Sequence, residues 1–168
     1  YKAPKAKKKY DITLMEVTLN GYYYNALAYG ATKAAKEAGV TLHITAASGY
    51  VNPAQQLQQA KNIVQRGTDA VVFAPSDFNG SVSTVKLFKS KGIPVINEST
   101  EVNAANDLTA IIQQDDYQMG VATAQEIHRL VPGGGAGIMM AGPSNATWSR
   151  KRANGFQDTI KKHPEWKI

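Results

Sequence analysis

The stretch QRGTDAVVFAP, residues 65–75, decides the fold. A helix ends at Arg66, Gly67 stops it, and Ala70 to Ala74 then runs AVVFA without a polar residue. A strand with one face in water alternates apolar and polar residues, whereas a continuously apolar run needs cover on both faces. Such a strand belongs to a parallel sheet with helices on either side.

Working upstream, Asn52-Pro53 offers an N-cap followed by a proline at the first helical position, which opens the helix that reaches Arg66. Thr41 to Thr45 reads as a strand, Gly21 to Gly39 as a helix stopped by Gly39, and Asp11 to Val17 as the first strand. Working downstream, a helix is expected over Gly80 to Lys91, a strand over Ile93 to Ile96 and another over Thr109 to Ile112. The rhythm continues with a helix over Asp116 to Leu130, a strand over Gly137 to Met140, a helix over Thr147 to Lys161 and a strand starting at Lys167-Ile168. Parallel neighbours joined by right-handed helical crossovers give an α/β Rossmann-like lobe. The expected organisation is a basic tail over 1–10, an N-terminal α/β lobe over 11–113, a crossing at 114–115, and over 116–168 the first part of a C-terminal α/β lobe that is left incomplete.

The bulk chemistry of the 168 residues narrows the function. With 43% hydrophobic and 19% charged residues the chain is globular, and zero Cys excludes a disulfide framework, a thiol nucleophile and a thiolate-bound metal. The net charge of +6 comes almost wholly from Lys2, Lys5, Lys7, Lys8 and Lys9. Beyond them the body is nearly neutral, so no nucleic-acid partner is expected, and the tail reads as a solvated linker. Apolar runs are too short to span a bilayer and no apolar leader opens the chain, so a soluble mature form is expected, not inserted in a membrane.

Ligands of open α/β sheets sit outside the carboxyl ends of the strands. The loops there, Thr18 to Tyr24, Ala47 to Asn52, Pro75 to Asn79, Asn97 to Thr100 and Gly142 to Arg152, are rich in Asn, Ser, Thr and Tyr. They suit hydrogen bonding better than catalysis, since no nucleophile, base and orienter can be assembled from them. Val131 to Gly137 (VPGGGAG) precedes its strand and lacks the Lys-Ser/Thr ending of a phosphate loop, so it is a turn. His43, His128 and His163 show no ligand spacing. Neither metal nor cofactor is expected.

Two features remain. Tyr22, Tyr23 and Tyr24 open the first helix, and successive helical residues point about 100° apart, so three in a row cannot all face the core. Tyr23 or Tyr24 is expected to offer a ring to the apolar face of a small polar molecule. At the start of the last helix Trp148 is followed by Arg150, Lys151 and Arg152, although cations are unfavourable at a helix N-terminus. That cost points to a use for them, a guanidinium forking onto hydroxyl or carboxylate oxygens.

Taken together these residues resemble the type I periplasmic binding proteins, in particular the ribose-type sugar-binding proteins of ABC importers. The segment TLNGYYY, residues 18–24, is similar to the family's T-L-N-x-P-F-F signature; QRGTDAVVFAP and Gly92 to Ile96 match its third and fourth strand regions. Arg150 to Phe156 resembles its R-x-R-x-x-G-F helix. The resemblance implies a two-lobed protein that closes on a solute, a sugar or similar small polar molecule, and delivers it to a permease of the ABC type, in the periplasm or outside the cytoplasm. By position it implies hydrogen bonds from Asn20 and Gln114, stacking by Tyr23 and Tyr24, and a contact from Arg152, with Trp148 in the same turn. Ser99 and Thr100 stand where ribose-type members carry an Asp-Arg clamp, and the loss of that clamp argues against ribose itself; Ala74 stands where an Asn is common and Tyr22 where the signature has Pro. The implied second lobe is incomplete, so weak affinity is expected of the 168 residues alone. The effector-binding region of a LacI-type transcription regulator has the same fold and is the alternative; it would carry a helix-turn-helix upstream, which the lysine tail is not.

Overall fold

A computed structural model describes residues 4–168. Lys2 of the basic tail lies outside the described residues. The chain divides into two compact units between Gln113 and Gln114.

The first unit is a five-stranded parallel sheet in the order β2-β1-β3-β4-β5, built from β1 (Asp11–Glu16), β2 (Thr41–Ala46), β3 (Ala70–Phe73), β4 (Val95–Glu98) and β5 (Ala110–Ile112). The crossovers are α1 (Tyr22–Ala38), α2 (Pro53–Arg66) and α3 (Val82–Ser90). The Asn52 side chain accepts the Gln55 N–H at 3.2 Å with Pro53 in the first turn, so α2 starts as its sequence dictates. The fourth strand begins at Val95 rather than Ile93, because Pro94 has no N–H to give a ladder.

The main core lies on one face of this sheet. Met15, Val71, Phe73 and Val95 point there and meet Ala60 and Ile63 of α2 and Val85 and Phe88 of α3, all of them buried. Burying each large side chain is worth about 1.5–3 kcal/mol, so this cluster dominates the unit's stability. The tail is not wholly free: the Ala6 N–H donates to Ala38 O at 2.9 Å, which satisfies a carbonyl at the end of α1. Lys5, Lys7, Lys8 and Lys9 thus sit near a helix C-terminus, where cations are favourable.

The second unit packs α4 (Asp116–Leu130) against α5 (Thr147–Ile160), with β6 (Gly135–Ala136) paired in parallel to β7 (Trp166–Lys167). A Cβ on Gly120 would lie 2.0 Å from Arg152 O, and one on Gly155 would lie 2.1 Å from Tyr117 O. The two helices therefore touch backbone to backbone, and only glycine fits at the crossing. The strand expected over Gly137 to Met140 is displaced to Gly135–Ala136. Ile138 and Met140 are each 94% exposed, and among the described residues of this unit only the two residues of β7 pair with β6. A parallel strand needs partners and cover, which those residues lack here. The glycine run of residues 133–135 is a packing device, since a Cβ on Gly134 would meet Glu165 O at 2.2 Å.

Candidate functional site

In the first unit the candidate site is the rim formed where β1, β3 and β4 end. Gly21, just before α1, has φ 144°, a conformation open to glycine and strained for other residues, and it turns the chain from the β1 rim into the helix. The three tyrosines then separate by the helical rotation. Tyr22 is 96% exposed, Tyr23 48% and Tyr24 6%. Tyr24 packs with Val17, Ala74 and Tyr50, and its hydroxyl meets the hydroxyls of Tyr50 and Ser99. Burial pushes the Tyr24 phenol far up, so it keeps its proton. Its ring is committed to the scaffold, and Tyr23, in T-shaped contact with it at 5.1 Å between centroids, is the half-exposed ring of the pair.

Asn20 is exposed on the turn, its N–H donating to Thr18 Oγ1 at 3.0 Å. Ser99 stands at φ 63°, a left-handed conformation that is uncommon for serine, and its N–H donates to Ile112 O at 3.1 Å. Thr100 is buried, with its hydroxyl donating to Pro75 O at 2.7 Å. That places Thr100 in the support beneath the rim rather than on it. Gln56, fully buried, performs a similar service: its amide donates to Ala74 O at 2.8 Å and accepts the Ser76 N–H at 2.9 Å.

The sequence reading passed over the acid pair at this rim. Glu16 closes β1 and Glu98 closes β4, and extending the register by one residue sets Ala74 of the intervening strand between them. All three point to the same face. The small methyl of Ala74 lets the two carboxyls approach across it. Both oxygens of Glu16 and Oε1 of Glu98 are buried, and the two carboxyls act on each other. Burial first, then the charge of Glu98, pushes Glu16 well up, while burial raises Glu98 less. The pair therefore holds a proton at neutral pH and presents at most one charge to the rim. Two signals were available: a charged residue closing the first strand, and a second one at the matching register two strands away.

In the second unit Gln114, Trp148 and Arg152 do come together, around Asp116. Arg152 donates from Nε to Asp116 Oδ1 at 2.8 Å, its Nη2 lies 2.8 Å from the same oxygen as an ion-pair contact, and Gln114 Nε2 donates to that oxygen at 3.2 Å. The guanidinium lies 5.0 Å from the Trp148 ring centroid. Asp115 caps α4 by accepting the Gln118 N–H at 3.0 Å, which fixes the start of the helix that carries Asp116. The basic first turn of α5 is accounted for in part by these bonds and by Arg150, which donates to Ser144 O. Trp148 and Arg152 also line a recess of about 450 Å³ with Met119, Met139 and Trp166, but its walls are apolar and give few partners to a polar solute.

Comparison with known proteins decides what kind of protein carries this rim. A family described as periplasmic binding protein domain matches residues 13–168. The chain belongs to the periplasmic binding protein family. The ribose import binding protein of Escherichia coli is 27% identical over 158 residues, covering 94% of this chain and 52% of that protein. The xylitol-binding protein of Mycolicibacterium smegmatis is 28% identical over 116 residues, 67% of this chain and 32% of the other. An ABC transporter solute-binding protein from Agrobacterium vitis, solved with bound D-fucose, superposes with a TM-score of 0.85 at 25% identity, over 96% of this chain and 56% of that one. The family member described here thus has the type I fold and spans about half the length of the ribose-binding relatives it matches. No helix among its described residues is long and apolar enough to cross a membrane.

Proposed function

We propose that this chain is part of the solute-binding component of an ABC importer, working outside the cytoplasm, and that it takes a sugar or polyol. The observation that carries the proposal is Tyr23: a half-exposed ring braced by a buried one, near the strand-end rim. Such a ring covers the C–H face of a sugar while neighbouring polar groups take up its hydroxyls. Gln114, Arg152 and Trp148 supply the polar and stacking groups of the second lobe, and Gln114-Asp115 serves as the first hinge strand between lobes over 11–113 and 116–168. Closure is driven by the difference in a solute's affinity for the closed and open forms. Nothing in either group of residues forms a nucleophile with a base, so the chemistry offered is binding rather than turnover.

The relatives with sugars or polyols in their names support the ligand class, and the lost Asp-Arg clamp at Ser99-Thr100 turns the preference away from ribose. A thermal-shift screen of the full-length protein against pentoses, hexoses, polyols and sugar acids tests this directly, because a bound solute raises Tm by mass action. A shift with a neutral sugar or polyol, confirmed by calorimetry, is expected. A response confined to sugar acids, or turnover of any of these compounds, would overturn it.

A further inference from the structure

His128 and His163 are far apart in sequence, yet the second unit stacks their rings at 3.7 Å between centroids. His128 sits in the last turn of α4, and His163 follows α5. Glu165, just before β7, completes the group: its Oε1 is 3.2 Å from His128 Nδ1 and 3.4 Å from His163 Nδ1. One ligand atom from each residue falls within 4.8 Å of the others. Glu165 is delivered to this spot by the glycine run, where the Gly135 N–H donates to Glu165 O at 3.1 Å and Gly134 leaves room for its backbone.

The geometry points to a divalent transition-metal site with an N₂O donor set, and we propose that it binds zinc or a chemically similar ion. Tetrahedral ligands about 2.0–2.1 Å from zinc stand about 3.3 Å apart, and the two contacts to Glu165 bracket that edge. The Nδ1 of His128 is buried and makes no hydrogen bond although the carboxylate is beside it, which leaves its lone pair to spend. The Cβ–Cγ torsion of a histidine is broad, so the rings have freedom to adjust their nitrogens toward a shared ion. Arg129 near the end of α4 pairs with Glu126, and Lys161 just after α5 pairs with Asp158, so these two cations are engaged by acids other than Glu165. Imidazole and carboxylate together suit zinc, nickel or copper better than magnesium or calcium. An ion there ties the ends of α4 and α5 to β7, and it leaves a coordination position for water. The site lies wholly within residues 114–168 and does not depend on the solute.

The test is calorimetric titration of the protein with zinc chloride in a non-chelating buffer. One equivalent is expected to bind saturably. His128→Gln and Glu165→Gln should each weaken binding by more than about tenfold. His43→Gln should leave it unchanged, since His43 contacts Asp11 in the first unit. Histidine ring-proton spectra of the unsubstituted protein cover the case of a variant that fails to fold: zinc should move the signals of His128 and His163 and spare His43. Absence of saturable binding, binding that survives both substitutions in folded protein, or a response at His43 alone would overturn the proposal.

Discussion

Arg152 reaches across from α5 to Asp116 at the start of α4, donating from Nε to one carboxylate oxygen while Nη2 makes an ion-pair contact with the same atom. The carboxylate is nearly buried while the guanidinium is about one-third exposed, so the two partners are unequal. Removing the arginine strands an almost buried charge; removing the aspartate releases a cation that water can partly solvate. Arg152→Ala should therefore cost more than Asp116→Ala, about 1–3 kcal/mol against about 1 kcal/mol or less once solvent screening is allowed for. Arg152→Lys keeps the charge but gives up the planar fork and its stacking on Trp148, and it should weaken solute binding by about tenfold while changing stability little. Urea denaturation and calorimetry on the three variants separate these effects.

Gly120 and Gly155 make that ion pair possible, because the contact of α4 and α5 puts backbone against backbone. Gly120→Ala would force a methyl carbon to within 2.0 Å of Arg152 O, and Gly155→Ala to within 2.1 Å of Tyr117 O. Neither obstacle is a flexible side chain, so the helices must part. Each substitution should destabilise by about 3 kcal/mol or more. Gly30→Ala is the contrast: it lies in α1 with nothing within 4 Å, and should stabilise by about 0.5–1 kcal/mol through helix propensity alone. Thermal melts of the three variants give the order.

The first unit was legible in the sequence because its signals are local. Asn52-Pro53 capping α2, the apolar β3 and the glycine stops each declare themselves within a few residues, and the sheet follows from their alternation. The second unit is legible only in its helices. Gly137 to Met140 has strand composition, but a strand exists by pairing, and Ile138 and Met140 find no partner among the described residues. The site divides the same way. The tyrosine run announced an exposed ring, but which of the three is buried depends on the angle at which α1 leaves Gly21. Glu16 with Glu98, and His128 with His163, are separated in sequence and meet only through strand register or helix packing.

The three tyrosines give three different outcomes. Tyr23→Ala removes the ring that faces outward at the rim and should weaken solute binding by about tenfold or more. Tyr22→Ala removes a side chain that is almost fully solvated, and should change neither affinity nor stability. Tyr24→Phe keeps the packing but removes the hydroxyl that meets those of Tyr50 and Ser99, at a cost of about 1 kcal/mol in stability. Calorimetric titration with the solute found by screening, together with melting of the free protein, distinguishes the three.

The acid pair at the rim makes stability depend on pH in an unusual direction. Glu16 is raised from an ordinary carboxyl value to about 9 and Glu98 to about 7, chiefly by burial. Between the unfolded value near 4.5 and these folded values, the native state holds protons that the unfolded chain has released. Stability contributed by the pair is thus complete below about pH 4.5 and declines as pH rises, by as much as about 1.4 kcal/mol per pH unit for each proton that differs. The free protein should melt higher at pH 5.5 than at pH 8.5. Glu16→Gln replaces the group by a neutral one of the same shape, so it should raise Tm at pH 8.5 by several degrees, on the scale of about 4 °C per kcal/mol, and flatten the slope between the two conditions. Melting curves of the unsubstituted protein and of this variant at both pH values check the sign, and a Tm that rises with pH in the unsubstituted protein would show that the pair is ionised in the fold.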